Sequence, residues 1–247
     1  MALLVGARTW IIETELNAAA ERVAAAARAS GCPVIRWSIG DPKPALPDRE
    51  CVFLGSLTAC PGMPGVLGDP ERLRVSRWLP RVGALALNRE VVFSTVGALG
   101  RVRDGLPWAR VFARPDSAMK PFAGRVLARE QLSAGALDHG FYYDDLELPI
   151  VLAPARAVAE EWRFVVVDRR VVASCGYTAD GRAGLERAPP PAAVDVAYRS
   201  AELAPEDHVV LDVCRVADDG YFLVEYNLLS GADLYACDVD AIVRALA

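Results

Sequence analysis

Apolar positions along the chain follow two rhythms. In the first hundred residues, short apolar runs alternate with stretches of helical spacing. The opening "MALLVGARTWIIETEL" reads as a strand running into a helix, and Arg8 and Glu13 interrupt it too early for a signal peptide. The Ala-rich stretch 14–30 is that helix, with Thr14 as its cap and Gly31 just past its end. "PVIRWSI" (33–39) and "CVFLGSL" (51–57) fit buried strands. "DPERLRVSRWL" (69–79) reads as a second helix, capped by Asp69 with Pro70 in its first turn. This alternation predicts a small α/β lobe over residues 1–103.

After Asp104-Gly105 the rhythm shortens. Strand-like runs follow at 109–114, 124–129, 148–153, 162–168, 171–177, 208–216 and 221–227, with helices predicted at 130–138, 192–203 and 238–246. "RFVVVDRRVVASCGY" and "VVLDVCRVADDGYFLVEYN" read as hairpins turning at Asp168-Arg169-Arg170 and at Asp219-Gly220. Residues 104–247 therefore predict a second domain, α+β with mainly antiparallel sheet.

The second hairpin gathers chemistry. A two-residue loop at Asp219-Gly220 opposes Asp212 to Asn227, and a four-residue loop over 217–220 opposes it to Glu225. In either register Asp212, Glu225 and Asn227 share one face, by the two-residue period of a strand. Two ionised carboxylates so close repel each other, and a hard divalent cation relieves that repulsion. Asp, Glu and Asn oxygens suit Mg²⁺, which shares its shell with substrate phosphates. The plainer reading is a solvated polar face on an edge hairpin.

Composition narrows the picture. The net charge of -5 argues against a general nucleic-acid or acidic-membrane binder. No run approaches 18 uninterrupted apolar residues. The six scattered cysteines, with no CxxC pair, read as reduced core residues in a cytoplasmic protein, and two distant histidines make zinc a poor fit. Heavy use of Ala and Arg points to a high-GC bacterial genome. Of 27 basic residues only Lys43 and Lys120 are lysine. In "RPDSAMKPFAG" (114–124) a compact, mobile ammonium thus stands six residues after Arg114, and such a group suits a phosphate oxygen. "EEWRF" (160–164) adds Glu160, Glu161 and Arg163 at the start of a strand.

In this order the landmarks resemble the ATP-grasp superfamily. A basic residue follows an early strand, "LPIVLAPARAVAEEWRF" stands where the adenine-contacting linker falls, and Asp212 precedes a turn and Glu225-x-Asn227. The set Arg114, Lys120 and Arg163 resembles a compact clade of bacterial and phage ATP-grasp proteins marked by two arginines and a lysine. The resemblance implies an ATP-grasp fold, with an α/β lobe followed by two α+β subdomains with antiparallel sheets. It implies that Lys120, Arg163 and Arg114 act on phosphates and the acyl intermediate. Ile150, Val151, Leu152 and Ala153 would flank the adenine of ATP, and either Glu160 or Glu161 would meet the ribose. Asp212, Glu225 and Asn227 would hold Mg²⁺. Ser230, Gly231 and Tyr235, in "LLSGADLY", would face the acceptor substrate.

The implied activity is an ATP-dependent ligase that activates a carboxylate as an acyl phosphate and joins it to an amine, on a small molecule or a peptide. The alternatives are a phosphotransferase on the same fold and a nucleotide-binding protein without turnover. A homodimer is the assembly such ligases often form. Two departures stand out: 149–177 holds no lysine where the family carries one, and 114–124 has a single glycine, Gly124, where the family has a glycine-rich loop.

Overall fold

The computed structural model describes residues 7–14, 19–177, 184–185, 188–217 and 219–247. Three strands, β1 (Thr9–Glu13), β2 (Val34–Trp37) and β3 (Cys51–Leu54), form a parallel sheet in the order β2-β1-β3. Helix α1 (Ala20–Ala29) lies beside it, burying a face of Val23, Ala24 and Ala27. Its cap position is Ala19 rather than Thr14, and residues 15–18 of the expected helix lie outside the described residues. Gly31 does follow the helix, at φ +79°.

The second expected helix is shifted. The Asp69 carbonyl accepts from Arg72 and Leu73, which closes a turn, but Arg74 is extended and α2 runs over Val75–Val82 instead. The amphipathic stripe therefore begins at Val75, and Trp78 carries it into the main core, edge-on to Tyr226 with ring centroids 5.4 Å apart.

A four-stranded antiparallel sheet follows: β4 (Val92–Thr95), β5 (Arg110–Pro115), β6 (Arg125–Ala128) and β7 (Pro149–Pro154), in the order β4-β7-β5-β6. Strand β4 and the short helix α3 (Leu99–Val102) stand on the N-terminal side of residue 104. Even so, β4 pairs with β7 along Val92–Leu152 to Thr95–Pro149. In place of the helix expected at 130–138 are two single 3₁₀ turns, Arg129–Gln131 and Gly135–Leu137. Leu132 between them is extended, and Leu132 and Leu137, five apart, anchor the segment in the core of this subdomain.

The third sheet holds β8 (Val158–Val167), β9 (Arg170–Tyr177), β10 (Gly184–Leu185), β11 (Val209–Val216) and β12 (Gly220–Leu228), antiparallel in the order β10-β9-β8-β11-β12. Asp168 and Arg169 turn the β8–β9 hairpin at φ +49° and +61°, the left-handed pair that a type I′ two-residue loop requires. Helices α4 (Pro191–Glu202) and α5 (Val239–Leu246) fall where the apolar spacing puts them.

The two faces of this sheet divide the work. One face, with Trp162, Phe164, Leu211 and Tyr226, packs on α2 and α4. On the other, Val165, Val167 and Val210 pack against α1 and α5. Beyond those helices the second face continues as Glu161, Arg163, Asp212 and Glu225, two residues along each strand from the apolar rows. No helix among the described residues is long and apolar enough to cross a membrane.

Candidate active site

Four strands put one residue each into a single row: Cys175 on β9, Arg163 on β8, Asp212 on β11 and Glu225 on β12 are successive cross-strand partners. A β-bulge makes this row. From the turn, β11 and β12 pair Val216 with Gly220 and Val213 with Leu223, a register that would oppose Asp212 to Val224 and turn Glu225 to the other face. The register slips by one residue at Val224, and Glu225 lands opposite Asp212.

Arg163 and Asp212 are 6 % and 1 % exposed. The guanidinium donates to both carboxylate oxygens, Nε to Oδ1 at 2.9 Å and Nη2 to Oδ2 at 2.8 Å. Its remaining Nη1 donates to the Asp233 carbonyl at 2.6 Å, and Asn227 Nδ2 donates to Asp212 Oδ2 at 3.1 Å. The rings of Tyr235 and Tyr177 flank the guanidinium at 4.6 and 5.6 Å from their centroids. Burial works against the Arg163 charge, but Asp212 more than offsets it and holds the guanidinium well above its ordinary pKa.

Glu225 is clasped from the opposite sheet. Lys120 Nζ donates to Oε1 at 2.6 Å, and Arg114 Nη2 lies 2.7 Å from Oε2. Burial alone would raise this carboxyl's pKa. The Lys120 ammonium and then the Arg114 guanidinium overcome that and hold it far below the usual carboxylate range. Lys120 hangs from a short loop in the left-handed region, at φ +46°, and is 34 % exposed at its side chain. Gly124 closes that loop against β5, where a Cβ would stand 2.8 Å from Phe112 Cζ. Three cations thus face two fixed carboxylates, leaving the cluster with surplus positive charge for a polyanion.

A cavity of about 270 Å³ opens beside this cluster between the two antiparallel sheets. Val151 and Ala153 line it, with Phe112 and Val126 from the same sheet and Trp78 and Leu223 from below. Ile150 and Leu152 alternate away from it into the subdomain core. Arg114 and Glu161 also line it, joining cavity to cluster. Glu160, by contrast, accepts from Arg215 Nε at 2.6 Å and is not on the cavity wall. Burial, and then the charge of Asp212, push the Glu161 carboxyl up to about 7, while the Tyr177 hydroxyl moderates the rise.

That shift sets a pH dependence. Between 4.5 and about 7 the unfolded chain has released a proton that folded Glu161 still holds, so its contribution to stability is full in acid and falls as pH rises through that window. Glu161→Gln, which stays neutral, is expected to gain about 1–3 kcal/mol relative to the parent at pH 8 and nothing at pH 4. Thermal melts at the two pH values read it directly, and parallel pH curves for parent and variant would refute it.

Of the substrate-side candidates, Tyr235 lies against Arg163, at φ +43°. Ser230 is 1 % exposed, and its hydroxyl accepts from the Leu67 N–H at 2.8 Å. Its carbonyl accepts from Gly55 N–H at 2.8 Å. A Cβ on Gly231 would meet Leu57 Cδ2 at 2.4 Å. These two residues face the N-terminal lobe and tie it to the end of the β11–β12 hairpin. The direct Arg163–Asp212 pair, Tyr177 and the Asp233 carbonyl were not singled out from the sequence. The two-residue period joining Glu161 to Arg163 was the one signal available for that face.

Asp212, Glu225 and Asn227 supply oxygen donors of the kind Mg²⁺ takes, but both carboxylates are occupied by cationic donors. Among the described residues no three His, Cys, Asp or Glu side chains form a metal cage. The donor set fits an ion that brings its own waters and phosphate oxygens, not a preformed protein site.

Two antiparallel sheets gripping an apolar cavity, with paired charges where they meet, define an ATP-grasp fold. A family model matches residues 87–245, that of the ATP-grasp domain, family 2 of the clade with two arginines and a lysine, and the chain belongs to this family, which binds ATP. The RimK domain protein ATP-grasp from Sphaerobacter thermophilus superposes with a TM-score of 0.65 at 14% identity, over 97% of this chain and 98% of that one. The D-cycloserine synthetase DcsG gives 0.63 at 17%, over 97% and 100%. The ATP-grasp ligase PsnB, complexed with a minimal precursor, gives 0.60 at 15%, over 97% and 98%. At these identities the likeness is one of fold. Among curated proteins no sequence relative matches.

Proposed function

We propose that the protein is an ATP-dependent ligase that activates a carboxylate as an acyl phosphate and joins it to an amine, on a small molecule or a peptide. The observation that carries this reading is the placement of Arg114, Lys120 and Arg163 around Asp212 and Glu225, at the end of a purine-sized apolar cavity. Phosphoryl transfer needs positioning and charge neutralisation more than covalent help from the protein. Surrounding side chains supply both.

In this reading Val151 and Ala153 cover the adenine of ATP and Glu161 meets its ribose. Lys120, on its mobile stem, leaves Glu225 for a phosphate oxygen and follows the transferred group. Arg114 stays on the wall and steadies the phosphates from the other side. Asp212, Glu225 and Asn227 would hold Mg²⁺, whose chemistry is to neutralise the phosphate charge. Arg163, locked by Asp212 and Asp233, presents a fixed positive face beside Tyr235 to the acyl phosphate. The amine then displaces phosphate at the carbonyl carbon. Two of the similar folds are named as a ligase complexed with a precursor and as a synthetase, which supports a joining reaction over simple nucleotide binding.

Incubation with MgATP and panels of acids and amines tests this. ADP release that requires both an acid and an amine, with a product whose mass equals the two joined less water, is the expected result. A product gaining the mass of a phosphoryl group on an alcohol would make the protein a phosphotransferase. MgATP binding with no ADP from any panel member would favour a nucleotide-binding protein without turnover.

A further inference from the structure

We infer that the carboxamide of Asn88 reads the nucleobase and selects adenine over guanine, an inference that rests on the nucleotide site proposed above. Asn88 lines the cavity, and its Oδ1 is buried without a hydrogen-bond partner. The segment that carries it is pinned. Leu87 N–H donates to the Leu223 carbonyl at 2.8 Å, and Ala86 bridges to Leu223 at the edge of β12. Four residues after Asn88 the chain enters β4 in the other sheet. Asn88 therefore sits where the two sheets meet, at the end of the cavity wall made by Val151 and Ala153.

The neighbouring polar groups are committed elsewhere. Arg114 is held by Glu225, and Glu161 meets the Tyr177 hydroxyl. Strand β7 is paired on both sides: Ile150, Val151 and Leu152 lie opposite Ser94, Phe93 and Val92 on one edge and opposite Pro115, Arg114 and Ala113 on the other. Its backbone over these residues has little left to offer a base. A buried acceptor without a partner on an otherwise apolar wall is costly unless a ligand completes it.

The chemistry of the group chooses the ligand. A carboxamide offers one acceptor and one donor side by side. Adenine presents the complement, an exocyclic amino donor next to a ring-nitrogen acceptor, so two hydrogen bonds form together. Guanine presents two adjacent acceptors on the corresponding edge and leaves Asn88 Oδ1 facing an oxygen.

Equilibrium binding of ATP, GTP and purine riboside triphosphate, each with Mg²⁺, tests the inference on the full chain. The parent is expected to bind ATP about 10- to 100-fold more tightly than the other two, because GTP mismatches the amide and the purine analogue lacks the amino group. Asn88→Leu is expected to bring ATP down to the level of the analogue while leaving the analogue unchanged. Asn88→Asp, of the same size but without the donor, is expected to weaken ATP as well, which covers the case in which the leucine variant fails to fold. Equal binding of ATP and purine riboside triphosphate by the parent would overturn the role of Asn88 while leaving the nucleotide site intact. Binding of none of the three would overturn the nucleotide site itself.

Discussion

Asp212→Ala is expected to lower the unfolding free energy by about 3–5 kcal/mol, because it leaves the Arg163 guanidinium buried without its counter-ion. Arg163 is 6 % exposed and spends Nε and Nη2 on this one carboxylate, so water cannot replace the lost partner without opening the sheet. For a chain of this size that loss corresponds to a fall in melting temperature of about 6–20 °C. The control is the pair removed together. Arg163→Met with Asp212→Leu takes out both charges and should recover most of the loss, since a buried ion pair adds little net stability over apolar residues of similar volume. Denaturant unfolding of the three proteins decides the point. A single variant as stable as the parent, or a double variant no better than the single, would mean that the pair is not the closed buried unit described here.

Glu225→Gln is expected to act on nucleotide binding rather than on folding. Lys120 can rehydrate when the charge is gone, being 34 % exposed, so the stability change should be about 1 kcal/mol. The effect on ATP should have two signs. With Mg²⁺, affinity should fall at least about 10- to 100-fold, the scale on which even supporting groups of a metal site act. Without Mg²⁺, ATP should bind as well or better, because a negative charge next to the polyphosphate has been removed and Lys120 and Arg114 are released to meet it. Titration calorimetry with and without the metal reads both. A parallel loss under the two conditions would remove Glu225 from the metal's shell and leave it as an anchor for Lys120.

The contrast between these variants also shows what was legible in the sequence. Alternation placed the later strands close to their observed bounds, and the shared face of Asp212, Glu225 and Asn227 followed from strand period alone. The route to that face was hidden. Neither loop length considered from the sequence matches the turn-proximal register, and without the slip at Val224 Glu225 would point away. A bulge leaves no mark in apolar spacing, since Val224 fits either arrangement. The Arg163–Asp212 pair was out of reach for a different reason: its partners are 49 residues apart and meet only because β8 docks beside β11. Local signals misled where tertiary contacts decide. Asp69 caps a turn but not a helix, and 130–138 is held by Leu132 and Leu137 rather than by helical spacing. Ser230 and Gly231 stand at the expected place in the chain, yet they face the lobe to which they bind.

The central claim is that one MgATP binds between the two antiparallel sheets with its phosphates over Asp212 and Glu225. A crystal structure with Mg²⁺ and a non-hydrolysable ATP analogue tests it most directly. The account predicts a purine ring against Val151 and Ala153, Lys120 moved from Glu225 to a phosphate oxygen, and a metal about 2.0–2.1 Å from oxygens of Asp212 and Glu225. A nucleotide bound elsewhere, or one in this cavity with Lys120 and Arg114 still closed on Glu225 and no metal between the carboxylates, would contradict it.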